Sequence, residues 1–113
     1  MKRRITLSRC FEKEIGELIR KRRVFHEDYE ALKKKITEYP DLGDVISGTG
    51  GVRKVRLKSS SKGARGGFRV CYFEDVANAE IFLIFVYGKN EKEDLSSGEK
   101  KVLKEFTDEI KKR

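Results

Sequence analysis

Apolar residues recur along this chain with two periods, and the change between them divides it into elements. Ile5 and Leu7 alternate with polar neighbours, so Arg3 to Leu7 predicts a short edge strand. Ser8 suits a helix N-cap. Phe11, Ile15, Leu18 and Ile19 follow at helical spacing, with Glu12, Lys13, Glu14 and Glu17 on the other face. Gly16 weakens that helix by ~1 kcal/mol relative to alanine, which packing has to offset. After the basic turn Arg20 to Arg23, Phe25, Tyr29, Leu32, Ile36 and Tyr39 form the stripe of a second helix, with Lys33, Lys34 and Lys35 beside or opposite it. Pro40 ends it, because the residue before proline disfavours helical geometry. The two helices predict an antiparallel hairpin.

Beyond the turn at Pro40 to Asp44 the period falls to two. Val45 and Ile46 precede Gly48-Thr49-Gly50-Gly51, which reads as a turn. It lacks the Gly-Lys-Ser/Thr and the following helix of a Walker phosphate loop. In Val52 to Lys58, Val55 and Leu57 point one way and Lys54, Arg56 and Lys58 the other. Three cations on one strand face repel one another, so their segregation favours an anionic partner over simple exposure. A polar, glycine-rich, basic loop from Ser59 to Gly67 leads to the strand Phe68 to Phe73. There Phe68, Val70 and Tyr72 share one face, and Arg69, Cys71 and Phe73 the other. Ile81 to Tyr87 is apolar on both faces and predicts a central strand covered above and below. Ser96 and Glu99 have the spacing of a capping box for a last helix carrying Val102, Leu103, Phe106 and Ile110. The order β-α-α-β-β-β-α predicts one α+β domain over residues 1–113, a helical hairpin on a mostly antiparallel sheet with helices on one face.

Charge sharpens this picture. The chain has 27 Lys and Arg against 19 Asp and Glu, a net charge of +8. Val45 to Phe73 contains Arg53, Lys54, Arg56, Lys58, Lys62, Arg65 and Arg69 and no acid. Clustering of that kind favours a polyanion, nucleic acid above all. Arg69 sits among apolar residues, where a guanidinium needs either a carboxylate or an anionic ligand. No apolar run approaches a membrane span and no signal peptide is visible, so a cytoplasmic location is expected. Cys10 and Cys71 make no disulfide framework, and with His26 alone they make no zinc site. Cys71 reads as a small core residue, His26 as a surface or capping residue, and no cofactor is expected.

Three segments together resemble a known family: Gly48-Thr49-Gly50-Gly51-Val52-Arg53-Lys54-Val55-Arg56, Gly66-Gly67-Phe68-Arg69-Val70-Cys71-Tyr72, and Tyr87-Gly88-Lys89-Asn90-Glu91-Lys92-Glu93-Asp94-Leu95. In order and spacing they are similar to the HigB branch of the RelE/ParE toxin superfamily, over nearly the whole chain. The resemblance implies a RelE-like microbial RNase fold and a toxin of a type II toxin–antitoxin system. It implies a ribosome-dependent mRNA interferase and a cognate antitoxin of the helix-turn-helix, HigA-like kind. Operator DNA would be met only through the toxin–antitoxin complex. Arg69 matches the family's strand arginine that holds the scissile phosphate, Lys54 and Arg56 its preceding basic pair, and Lys89 its lysine after the central strand. Relatives often carry arginine at the position of Asn90, and a tyrosine or histidine nearer the C-terminus, which this chain lacks after Tyr87.

Such cleavage uses the RNA's own 2′-hydroxyl, so the protein has to hold geometry and neutralise charge. Arg69 suits transition-state stabilisation and Arg56 phosphate binding; Lys54 or Lys89 is the candidate proton-transfer group. Arg53, Lys58, Lys62, Arg65 and Asn90 are expected to contact RNA. Two rival readings are a non-catalytic RNA- or DNA-binding module and a ParE-like gyrase inhibitor, against which the stacked cations argue.

Overall fold

The computed structural model describes residues 3–61, 67–89, 91–92 and 94–113. Its strands are β1 (Arg4–Leu7), β2 (Asp44–Val45), β3 (Arg53–Leu57), β4 (Phe68–Asp75) and β5 (Glu80–Gly88). Its helices are α1 (Arg9–Arg20), α2 (His26–Glu38) and α3 (Ser97–Lys111). The strands form one sheet in the order β1-β5-β4-β3-β2, antiparallel except where β1 runs parallel to β5. The edge position of β1 and the antiparallel body of the sheet agree with the sequence pattern. The two-residue β2 is an addition to the expected order.

Local chemistry accounts for the helix starts. The Ser8 hydroxyl accepts from the Phe11 amide at 3.0 Å and donates to the Ile84 carbonyl at 2.6 Å, so α1 is capped and tied to β5 at once. At α3, Ser96 and Glu99 complete the anticipated capping box. His26 opens α2 on the surface, 3.3 Å from Glu30.

The helices do not share one face of the sheet. Phe11, Ile15 and Leu18 of α1 and Tyr29, Leu32 and Ile36 of α2 pack with Leu57, Phe68, Val70, Tyr72, Ile81, Leu83 and Val86. On the other side, Leu103, Phe106 and Ile110 of α3 pack with Cys71, Phe73, Phe82, Ile84 and Tyr87. The expectation of helices on one face is corrected for a plain reason. β4 and β5 are apolar on both sides, and water is excluded from both only if α3 covers the second. A register shift at Cys71/Tyr72 also puts Ile84 and Phe85 both on the α3 side, a break in period two.

Two devices fix the segments flanking β2. The buried Tyr72 hydroxyl donates to the Pro40 carbonyl and accepts from the Gly43 amide, both at 2.8 Å. Gly43 is compelled by this close approach, since a Cβ there would lie 2.6 Å from the Lys54 carbonyl oxygen. On the far side of β2, buried Thr107 of α3 donates to the Thr49 carbonyl at 2.9 Å. Thr49 in turn donates to the Ile46 carbonyl and accepts from the Val52 amide. The glycine loop is therefore a fastened structural turn.

Candidate active site

The register between β3 and β4 gathers the cations. Arg56 stands directly opposite Arg69, and Arg69 opposite Tyr87 on β5. Residues paired across a ladder project to the same face, so the two guanidinium groups are neighbours. Lys54 lies two residues back on that face, opposite Cys71.

β2 pairs only with Arg53 and Lys54, and beyond it a cleft of about 410 Å³ opens along β3. The cleft wraps the open edge of β3: Val55 borders it from the face of the helical hairpin, and Lys54, Arg56 and Arg69, which alternation turns to the α3 face, border it from around that edge. Leu32 and Lys35 come from α2, and Leu42, Gly43 and Asp44 from the turn that Tyr72 holds. A smaller hollow of about 190 Å³ shares Leu32, Lys35 and Arg56 and extends to Lys58 and Asp28.

Lys89 reaches the same end of the sheet by another route. Its amide donates to the Gly67 carbonyl at 3.0 Å, beside the start of β4. Gly67 has φ 55°, and a Cβ on it would fall 2.7 Å from the Leu57 carbonyl oxygen and 3.6 Å from Arg56 Nε. Only glycine lets β4 begin so close to the end of β3. Lys89 is exposed there and does not line the cleft.

Among the described residues no salt bridge engages Lys54, Arg56 or Lys89. Carboxylates are nevertheless near. Asp44 faces Lys54 across the β2–β3 pair. The Leu95 amide holds the Asp94 carboxyl below the usual range, and Lys100 and Lys54 add to this. Lys54 thus sits in a field of mixed sign, not solely among the like charges the strand pattern suggests. Burial pushes the Cys71 thiol and the Tyr87 phenol each up to about 12, so neither ionises at neutral pH. Tyr87 keeps its hydroxyl buried without a hydrogen-bond partner among the described residues.

Not every expected contact residue joins this group. Arg53 projects to the opposite face, where its guanidinium donates to the Gly43 carbonyl at 2.7 Å and the Asp41 carbonyl at 3.4 Å. It works as a clamp on the turn. Lys58 borders the smaller hollow, while Lys62, Arg65 and Asn90 lie outside the described residues. Lys35 and Asp44 line the cleft and were not singled out by sequence. Lys35 lies three residues after Leu32, so helical spacing puts it at the margin of the buried stripe, but spacing does not say what faces it.

A family model described as the RelE toxin of the RelE/RelB toxin–antitoxin system matches residues 4–113. The chain belongs to the RelE toxin family. Among solved structures it is similar to a doubly substituted E. coli toxin RelE in the free state, with 21% identity and a TM-score of 0.57. That match covers 82% of this chain and 90% of the other. The RelE-like α+β fold expected from the sequence is thus the observed one. Membership makes the chain the toxin half of a toxin–antitoxin pair, with an antitoxin as its partner. Among the described residues no helix is long and apolar enough to cross a membrane.

Proposed function

We propose that this RelE-family protein is a ribosome-dependent mRNA endoribonuclease that arrests translation, of the HigB-like branch and paired with a helix-turn-helix antitoxin of the HigA-like kind. The observation that carries the reading is the side-by-side placement of Arg56 and Arg69 on an open cleft that Lys54 and Lys35 also line. Two adjacent guanidinium groups offer several N–H donors to one phosphodiester.

In the mechanism the RNA 2′-hydroxyl attacks the adjacent phosphorus as its proton passes to a base. The bond to the 5′-oxygen breaks as that oxygen receives a proton, leaving a 2′,3′-cyclic phosphate and a 5′-hydroxyl end. Arg69 neutralises charge on the phosphorane-like transition state and Arg56 binds a non-bridging oxygen. Lys54 or Lys89 carries the proton-transfer role. Lys58, Lys62, Arg65 and Asn90 extend the RNA contact, and Arg53 contributes indirectly through the turn it clamps. The chemistry calls for no metal, and action on translating ribosomes puts the protein in the cytoplasm.

The test is expression of the wild type and Arg69→Ala in growing cells, followed by mapping of mRNA 5′ ends. The wild type creates new ends inside translated frames and stops growth, while Arg69→Ala does neither and folds normally. Full toxicity of Arg69→Ala overturns the assignment. Growth arrest without new ends marks a binder or a gyrase poison.

A further inference from the structure

The α1–α2 turn carries charge that the cleft does not use. Residues 20–23 read Arg-Lys-Arg-Arg and all are exposed. Half of this has an internal explanation. Arg20 and Lys21 pair with Glu17 at 2.8 and 3.5 Å, and cations suit the negative end of α1. Arg22 and Arg23 join no salt bridge among the described residues.

Arg22 adopts φ 58°, a left-handed conformation that glycine or asparagine takes at lower cost. The position keeps a cation against the preference of its backbone. Arg23 lays its guanidinium 5.3 Å from the Phe68 ring centroid, and Phe68 precedes Arg69. The turn is fastened to the end of β3 as well. The Ser60 amide donates to the Arg23 carbonyl at 2.9 Å and its hydroxyl donates to the Arg22 carbonyl. Arg22 and Arg23 are thereby held next to the chain that leaves β3, two residues after Lys58.

Two residues on from Arg23 stands Phe25, which is 49% exposed. Its counterparts in the α2 stripe, Tyr29, Leu32 and Ile36, are buried. A lone exposed phenylalanine is ordinary on a protein surface. Close in sequence to two arginines that join no salt bridge among the described residues, it has the composition of a single-strand binding platform, in which cations follow the backbone and an aromatic face stacks a base.

We infer that Arg22, Arg23 and Phe25 form a second subsite for single-stranded RNA, holding a stretch of the strand outside the cleft. Arg22 and Arg23 contact phosphates and Phe25 stacks on a base. The inference rests on the proposed RNA-directed function but not on cleavage.

It is tested in the full chain carrying Arg69→Ala, with 2-aminopurine-labelled RNA oligonucleotides of increasing length and a dinucleotide as the shortest. Affinity should rise with length, and Phe25→Ala or Arg22→Gly should each weaken the longer strands by about tenfold. Dinucleotide affinity should not change. Arg22→Gly should also reduce the slope of log affinity against log salt by about 0.7 per phosphate lost. Fluorescence quenching that depends on Phe25 marks the stacked base. Val76→Ala, which removes an exposed apolar side chain in the turn between β4 and β5, should have no effect. Affinity independent of length, or equal losses in Val76→Ala and Phe25→Ala, overturns the subsite. Absence of new mRNA ends in cells would count against the nuclease alone.

Discussion

Arg56 and Arg69 face one another across the antiparallel pair of β3 and β4. Like charges in that relation disfavour one another by a few tenths of a kcal/mol, and an anion held between them offsets that repulsion. Inorganic phosphate at ten times its Kd should add about 1.4 kcal/mol to stability and raise Tm by about 5 °C. Arg56→Ala should remove most of that increment without unfolding the protein. Thermal unfolding with and without phosphate is the measurement, and an equal response in both proteins would deny the pair its role.

Gly67 sets the distance between those strands. Alanine at φ 55° costs about 1–2 kcal/mol, and its Cβ would press on the Leu57 carbonyl 2.7 Å away. Gly67→Ala should lower stability by about 2 kcal/mol and reduce mRNA cleavage more than it reduces the folded fraction at low temperature. Denaturant titration and a cleavage assay on the same preparation separate the two effects. Unchanged cleavage would mean that Arg56 tolerates displacement.

Much of this was legible in the sequence, for definite reasons. Lys54 and Arg56 could be placed on one face because a strand alternates strictly. Arg69 could be marked because a guanidinium among apolar neighbours requires a partner. The position of α3 was not legible from its own stripe, which fits either face equally well. The better signal lay in Ile81 to Tyr87, where two apolar faces demand cover on both sides. Composition counts Arg53 with the other cations, whereas alternation turns it toward the carbonyls of Asp41 and Gly43. Lys35 and Asp44 reach the cleft through tertiary packing that no local period encodes.

The two thiols should differ sharply in reactivity. Cys71 is buried and its pKa is pushed up to about 12 by that burial, whereas Cys10 is exposed at the start of α1. The native protein should therefore consume one equivalent of a thiol reagent at neutral pH, and the denatured protein two. Cys10→Ser should abolish native labelling and leave mRNA cleavage unaltered. Rapid native labelling of Cys71 would show that the α3 side of the sheet opens readily.

Acid should loosen the end of the sheet opposite the cleft. The Thr6 hydroxyl, donating at 2.6 Å, and the Arg113 guanidinium, at 2.9 Å, hold the buried Glu80 carboxyl below its ordinary value of 4.5. A depressed carboxyl pKa adds stability that is fully present above the unfolded value. That stability is lost as pH falls through the folded value. Arg113 is about half exposed, so solvent screening limits its share. Glu80→Gln should be less stable than the wild type at neutral pH, and the difference should shrink toward pH 3. Urea titrations at both values decide, and a difference that persists in acid would assign the loss to packing.

Tyr72→Phe isolates the wall of the cleft from its chemistry. The Tyr72 hydroxyl holds Pro40 and Gly43, and through them the turn that brings Leu42 and Asp44 to the cleft. Its removal leaves a carbonyl and an amide without their partner at a cost of about 1–3 kcal/mol. The Arg53 clamp on Gly43 remains, so the turn should loosen rather than leave. Stability should fall within that range, and phosphate should bind several-fold more weakly although every cation is retained. Unaltered phosphate affinity in a destabilised Tyr72→Phe protein would show that β3 and β4 alone define the anion site.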